Sequence, residues 1–216
     1  MPSAFPAALT VAAAASVVFH LRAERHGTRW QVYLFKPTTT ALLVVVAALA
    51  NSAHGARYQQ AVVLGLACSL VGDALLMLPG DRFVPGLASF LVAHLAYLVA
   101  FSTGVPLDTA PGLAFPLAVA GFLLLRLLWP GLGRLRVPVV LYAATILLML
   151  WRAWARRWTL PSPGATLAAA GATLFVLSDA ILALNRFRRP VPSAQTLIMG
   201  TYVAAQALIA WSVGIP

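Results

Sequence analysis

The chain has 216 residues, 61% of them hydrophobic and only 9% charged, against about 25% charged in a soluble domain, so its charge is too sparse to cover a water-facing surface. The formal charge of +10, from 15 Lys and Arg against five acids, falls in short loops between apolar runs. That is the topology signal of a membrane protein and excludes the basic stripe that nucleic-acid binding needs. The single cysteine, Cys68, lies inside an apolar run and leaves no disulfide, CxxC or zinc pattern to build.

Spanning helices are expected over 3–21, 36–53, 58–79, 83–103, 111–130, 136–155, 163–185 and 191–214. Each is close to the roughly 20 residues that cross a bilayer. The first run has no basic n-region or cleavage site and reads as a span, not a removable signal. Turn and charge signals separate the runs: Arg22 to Arg29, Asn51 to Arg57, Pro79-Gly80-Asp81, Pro106 to Gly112, Pro130 to Arg136, Arg156 to Pro163 and Asn185 to Pro192. Apolar residues go all round each run, so helix follows from backbone satisfaction in lipid and not from an amphipathic period. The odd loops hold eleven basic residues, Lys36 included; the even loops hold Arg57, Arg152, Arg156 and Arg157. This bias puts the odd loops in the cytoplasm and both termini outside.

The fold class expected is all-α: a single integral membrane domain over 1–216, a bundle of about eight transmembrane helices in two four-helix halves, about 1–105 and 106–216. Gly72-Asp73-Ala74-Leu75-Leu76-Met77-Leu78 matches Ser178-Asp179-Ala180-Ile181-Leu182-Ala183-Leu184, and each copy precedes a short loop with a phenylalanine and a proline. Four helices per half give a parallel repeat. Asp73 and Asp179 then lie at similar depth, each roughly 9 Å from the cytoplasmic end at 1.5 Å per residue.

Glu24, Asp81 and Asp108 read as solvated loop charges. Asp73 and Asp179 differ, because a carboxylate within a span costs a few kcal/mol and so faces the bundle interior. Function is the default reading, and a clamp between helices is the structural one. Lys36 opens the second helix, before Pro37-Thr38-Thr39-Thr40, and reads either as a snorkelling charge or as part of a site. His94 shares a stripe with Phe90, Tyr97 and Phe101. Tyr202 shares one with Gln195, Met199 and Gln206. Tyr142 and Asn51 carry less signal, and Asn185 reads equally as a helix cap.

The pattern Gly72-Asp73, Phe83, His94 and Tyr97 resembles the lysoplasmalogenase (YhhN-like) family of membrane proteins. So do Lys36-Pro37, Phe175 with Ser178-Asp179, Asn185 with Phe187, and Tyr202 with Gln206. The resemblance runs from about Lys36 to Gln206. It implies eight helices and hydrolysis of the vinyl ether bond of lysoplasmalogens to a fatty aldehyde and glycerophospho-ethanolamine or -choline. It implies no metal or organic cofactor. Asp73 and Asp179 are the expected catalytic pair. Lys36, His94, Tyr97, Tyr202, Gln206 and Asn185 are expected to bind the lysophospholipid, in a bacterial inner (plasma) membrane.

Two intramembrane carboxyls suit this chemistry. Protonating the outer alkene carbon leaves an oxocarbenium ion, water adds, and the hemiacetal collapses. One acid must carry a proton and one carboxylate must steady the cation, the division of labour in glycoside hydrolysis. A Lys beside one Asp would keep that one ionised, or Lys36 could hold the lipid phosphate as a point charge; the residues leave open which Asp is the acid. The rival reading is a small proton-coupled transporter, which also fits a parallel repeat with acids in the bundle.

Overall fold

A chain in hydrocarbon satisfies its backbone by closing helices. The computed structural model describes residues 4–26 and 29–216, and they form eight α-helices. These are α1 (Ala4–His26), α2 (Arg29–Leu49), α3 (Ala56–Met77), α4 (Phe83–Ser102), α5 (Pro111–Leu128), α6 (Arg136–Thr159), α7 (Pro163–Phe187) and α8 (Ala194–Trp211). Two short 3-10 turns join α5 to α6. The first residue of the expected 3–21 span and the side chains of Glu24, Arg25 and Arg29 lie outside the described residues. Among the described residues five helices, α3 to α7, are long and apolar enough to cross a membrane; α1 and α2 carry shorter apolar runs, Val11–His20 and Tyr33–Leu49.

The largest shift from expectation is in α2. It begins at Arg29, so Lys36 does not open it but lies two turns inside, with Pro37 within the helix. Pro37 has no N–H for the carbonyl one turn back. The hydroxyls of Thr38 and Thr39 donate to the neighbouring carbonyls of Leu34 and Phe35 at 2.6 and 2.8 Å.

Consecutive helices pack most closely as α3 with α4 and α7 with α8. α2 lies against α3 and α8, α6 against α7 and α4, α1 against α2 and α8, and α5 against α6 and α7. Small residues fill the seams: Ala47, Ala93, Ala100, Ala168, Ala172 and Ala205 are fully buried. Lipid offers tails as apolar as the core, so close van der Waals approach holds such helices together. Gly65 and Gly171, 106 residues apart, mark two close seams, α3 on α4 and α7 on α8. A Cβ on Gly65 would lie 2.3 Å from the Tyr97 ring, and one on Gly171 2.9 Å from the Ala205 carbonyl oxygen.

The α3–α4, α5–α6 and α7–α8 loops share one end of the bundle. There Arg186 of α7 pairs with Asp81 of the α3–α4 loop at 2.7 Å, and the Phe83 and Phe187 rings meet edge-on at 5.6 Å. Even loops share the other end, where the Ala53 N–H donates to the Val213 carbonyl at 3.0 Å. Arg152 and Arg156 are not loop charges, as the basic-residue count had them. α6 runs on to Thr159 and buries both, each 2% exposed. Arg152 donates to the Ser102 hydroxyl and to the Val105 and Pro106 carbonyls at 3.1, 2.7 and 2.8 Å, and Arg156 to the Thr103 carbonyl at 2.6 Å. Carbonyls at a helix C-terminus have no intrahelical donor and attract positive charge. The two guanidiniums close the end of α4.

Replacing Gly65 by Leu should overpack the α3–α4 seam at a cost of about 1–3 kcal/mol. The unfolding midpoint in detergent should then fall by roughly 2–4 °C per kcal/mol. An unchanged midpoint would show that the seam is not close-packed.

Candidate active site

Asp73 lies on α3, one residue past Gly72, with a side chain 1% exposed. Three donors meet it. The Lys36 ammonium stands 3.2 Å from Oδ1, and the hydroxyls of Thr40 and Tyr202 donate to Oδ2 at 2.9 and 2.7 Å. Lys36 and Thr40 are one helical turn apart on α2, which brings both to one face. Behind Tyr202 the chain of donors continues. The Gln206 amide donates to the Tyr202 hydroxyl at 3.1 Å, and the Tyr97 hydroxyl donates to Gln206 Oε1 at 2.7 Å. Each bond polarises the next toward Asp73. A cation and two hydroxyl donors are the groups that favour the ionised form of a carboxyl.

Asp179 on α7 has different company. The Tyr142 hydroxyl of α6 donates to its Oδ2 at 2.5 Å, and His94 Nε2 of α4 stands 3.9 Å away, beyond hydrogen-bond reach. His94 is fully buried, edge-on to the rings of Tyr142 and Phe175 at 5.1 and 4.7 Å. No cation touches Asp179 among the described residues. Its side chain is 16% exposed.

Both carboxyls line one small cavity of about 40 Å³, with Lys36, Phe90, Tyr142, Ser178 and Tyr202. That is room for roughly two or three water molecules. Phe175, fully buried, stands behind it and meets Phe90, His94, Tyr97 and Tyr202 ring to ring. Among the described residues no group of His, Cys, Asp and Glu is placed to hold a metal ion.

Residues 31–213 match the YhhN family. The chain belongs to that family. The membrane protein YhhN of Escherichia coli O6:H1 is 31% identical over 199 residues, 92% of this chain and 95% of its own length. Human lysoplasmalogenase TMEM86B is 41% identical over 159 residues, and human lysoplasmalogenase TMEM86A is 40% identical over 161. These matches cover 72% and 70% of this chain and 64% of each human protein, so the chain spans just under two thirds of either one's length. No solved structure matches.

In this YhhN-family chain Asp73, Asp179, Lys36 and Tyr202 meet at the cavity. His94 backs Asp179, and Tyr97 and Gln206 stand behind Tyr202. Asn185 is apart from them: exposed at the end of α7, it accepts from the Val191 N–H at 3.0 Å and pins the α7–α8 loop. Two contributors were overlooked or given little weight in the sequence, Thr40 and Tyr142. Tyr142 had a signal. It precedes Asp179 by 37 residues, as Lys36 precedes Asp73.

Lys36→Met should leave a buried carboxylate without its cation, at a cost of about 3–5 kcal/mol. Adding Asp73→Asn should recover most of that loss. A double-mutant cycle on unfolding in micelles measures the coupling; strictly additive losses would show that the pair does not interact.

Proposed function

We propose that this protein hydrolyses the vinyl ether bond of lysoplasmalogens within the bilayer, releasing a fatty aldehyde and glycerophosphoethanolamine or glycerophosphocholine. The observation that carries the reading is the opposite surroundings of two carboxyls at one cavity. Asp73 has a cation and two hydroxyl donors; Asp179 has one phenol and a neutral-looking aromatic wall. The human relatives named lysoplasmalogenase, at 40–41% identity, support the same substrate class.

The roles follow from the surroundings. Asp179 carries the proton and gives it to the outer alkene carbon. The oxocarbenium ion that forms lies against the Asp73 carboxylate, held ionised by Lys36. A water in the cavity adds to the cationic carbon and passes a proton to Asp73. The hemiacetal then collapses: its hydroxyl proton returns to Asp179, Asp73 protonates the departing glycerol oxygen, and both acids regain their starting states. Tyr142 holds the Asp179 carboxyl toward the cavity. Tyr202, backed by Gln206 and Tyr97, holds Asp73. No step draws on a metal or organic cofactor.

We infer that all eight helices cross the membrane as two parallel halves. The α3–α4, α5–α6 and α7–α8 loops gather at the end opposite the even loops, as antiparallel crossings require. The helix pairings of α1–α4 are echoed by α5–α8: α2 on α3 and α8 against α6 on α7 and α4. The offset of 106 residues that relates Asp73 to Asp179 also relates Lys36 to Tyr142 and Gly65 to Gly171. On this reading one half supplies a cation to its acid and the other a phenol.

Asp73→Asn and Asp179→Asn should each abolish aldehyde release from an alkenyl lysolipid while leaving the protein folded. General acid catalysis alone is worth about 10²–10⁴-fold, and the double variant should be little worse than either single one. The wild-type rate should fall on both sides of an optimum pH, because one carboxyl must hold a proton while the other does not. A fully active Asp179→Asn protein removes the paired-carboxyl mechanism. A purified wild type that releases no aldehyde, with Asp variants that lose only proton-coupled uptake, would establish the transporter instead.

A further inference from the structure

α5 is the least embedded of the long apolar helices, with 11% of its apolar window buried against 33–39% for α3, α4, α6 and α7. It stands off enough to leave a chamber of about 250 Å³ bounded by α4, α5, α6 and α7. Leu87, Leu124, Val139, Ile146 and Val176 form its walls, and among the described residues the only acid and the only hydroxyl that reach it are those of Asp179 and Tyr142. The same two groups line the small carboxyl cavity, so the two spaces meet at Asp179. On the outer side of the α5–α6 seam runs a second apolar groove, about 400 Å³, lined by Leu117, Phe122, Leu148 and Trp151. Gly121 and Leu147 line both the chamber and the groove. A Cβ on Gly121 would lie 2.4 Å from Leu147 Cδ1. Leu125 and Ala143 also line both spaces, so the partition between chamber and groove is four residues wide, and Leu147 facing Gly121 is its closest contact.

We propose that the chamber seats the hydrocarbon tail of a single-chain ether lipid, and that a long tail passes the Gly121–Leu147 seam into the outer groove, entering sideways from the bilayer. This rests on the hydrolase reading above. A tail that slides between helices from lipid never meets water and so forfeits no hydrophobic burial, whereas a route through the aqueous phase would expose it. The order of groups in the lipid matches the order of groups in the protein. Tail, alkene, ether oxygen and glycerol phosphate correspond to chamber, Asp179, Asp73 and Lys36. The outer alkene carbon, which is the one bonded to the tail, thereby lies on the side of the proton donor.

The test varies tail length and seam width together. Gly121→Leu should lower kcat/KM for a sixteen-carbon alkenyl lysolipid by about tenfold or more, the scale of an overpacked contact. An eight-carbon substrate, whose tail stays within the chamber and does not cross the seam, should lose several-fold less. Adding Leu147→Ala should restore the long substrate. Should Gly121→Leu fail to fold, Ala143→Leu narrows the same seam from α6. Equal loss at both lengths, no loss at either, or no rescue by Leu147→Ala overturns the proposal. The saturated ether analogue, which cannot be cleaved, separates this proposal from the hydrolase reading. It should raise the melting temperature of the wild type more as its tail lengthens, and Gly121→Leu should erase that dependence. Such a result with no aldehyde from any alkenyl substrate would leave the tail chamber standing and remove only the hydrolase. Stabilisation that ignores tail length removes the chamber.

Discussion

A carboxylate surrounded by hydrocarbon persists only where donors and a cation replace the water it gave up. Asp73 draws those groups from two other helices, Lys36 and Thr40 from α2 and Tyr202 from α8. That requirement explains why α2, α3 and α8 pack together, and why Gln206 and Tyr97 are buried polar groups with partners. It also sets the difference between the two acids. A cation stands beside one carboxyl and a phenol beside the other, so the two acids differ in surroundings without any difference in residue type. Two like groups driven apart by their environments are the basis of acid and base assignment in known enzymes.

Burying charge in this way demands precise seams elsewhere. The α3–α4 seam closes over Gly65, which lets the Tyr97 ring lie against the α3 backbone, and Tyr97 begins the donor chain that ends at Asp73. At the even-loop end two arginines are buried without an acid, because backbone carbonyls past α4 take their hydrogen bonds. At the odd-loop end Asp81 and Arg186 join the loops that follow the two aspartate helices.

Much of this was legible in the sequence. An acid in a long apolar run is conspicuous because lipid makes it costly, so Asp73 and Asp179 stood out. Residues three and four apart share a helix face, so the stripes holding His94 with Tyr97 and Tyr202 with Gln206 could be read as interior. What was not legible depended on partners in other helices. Tyr142 looks like any aromatic residue in a span until Asp179 is seen opposite. Arg152 and Arg156 look like loop charges because only the fold reveals the carbonyls they cap. Lys36-Pro37 resembles a helix entrance, since proline is at ease in a first turn, yet α2 begins two turns earlier and threonine side chains bond to carbonyls beside the proline.

The distribution of donors along the chain has a consequence for how the protein is made. Chains are synthesised and folded from the N-terminus onward, and Lys36 and Thr40 precede Asp73. The acid on α3 therefore enters the bilayer with a cation already available on the helix before it. Asp179 likewise follows Tyr142 and His94. Only Tyr202 and Gln206 arrive later, on α8. Of the eight helices described, α8 comes last in chain order and supplies the final hydroxyl to Asp73, so the hydrogen-bond network around the first acid waits for α8.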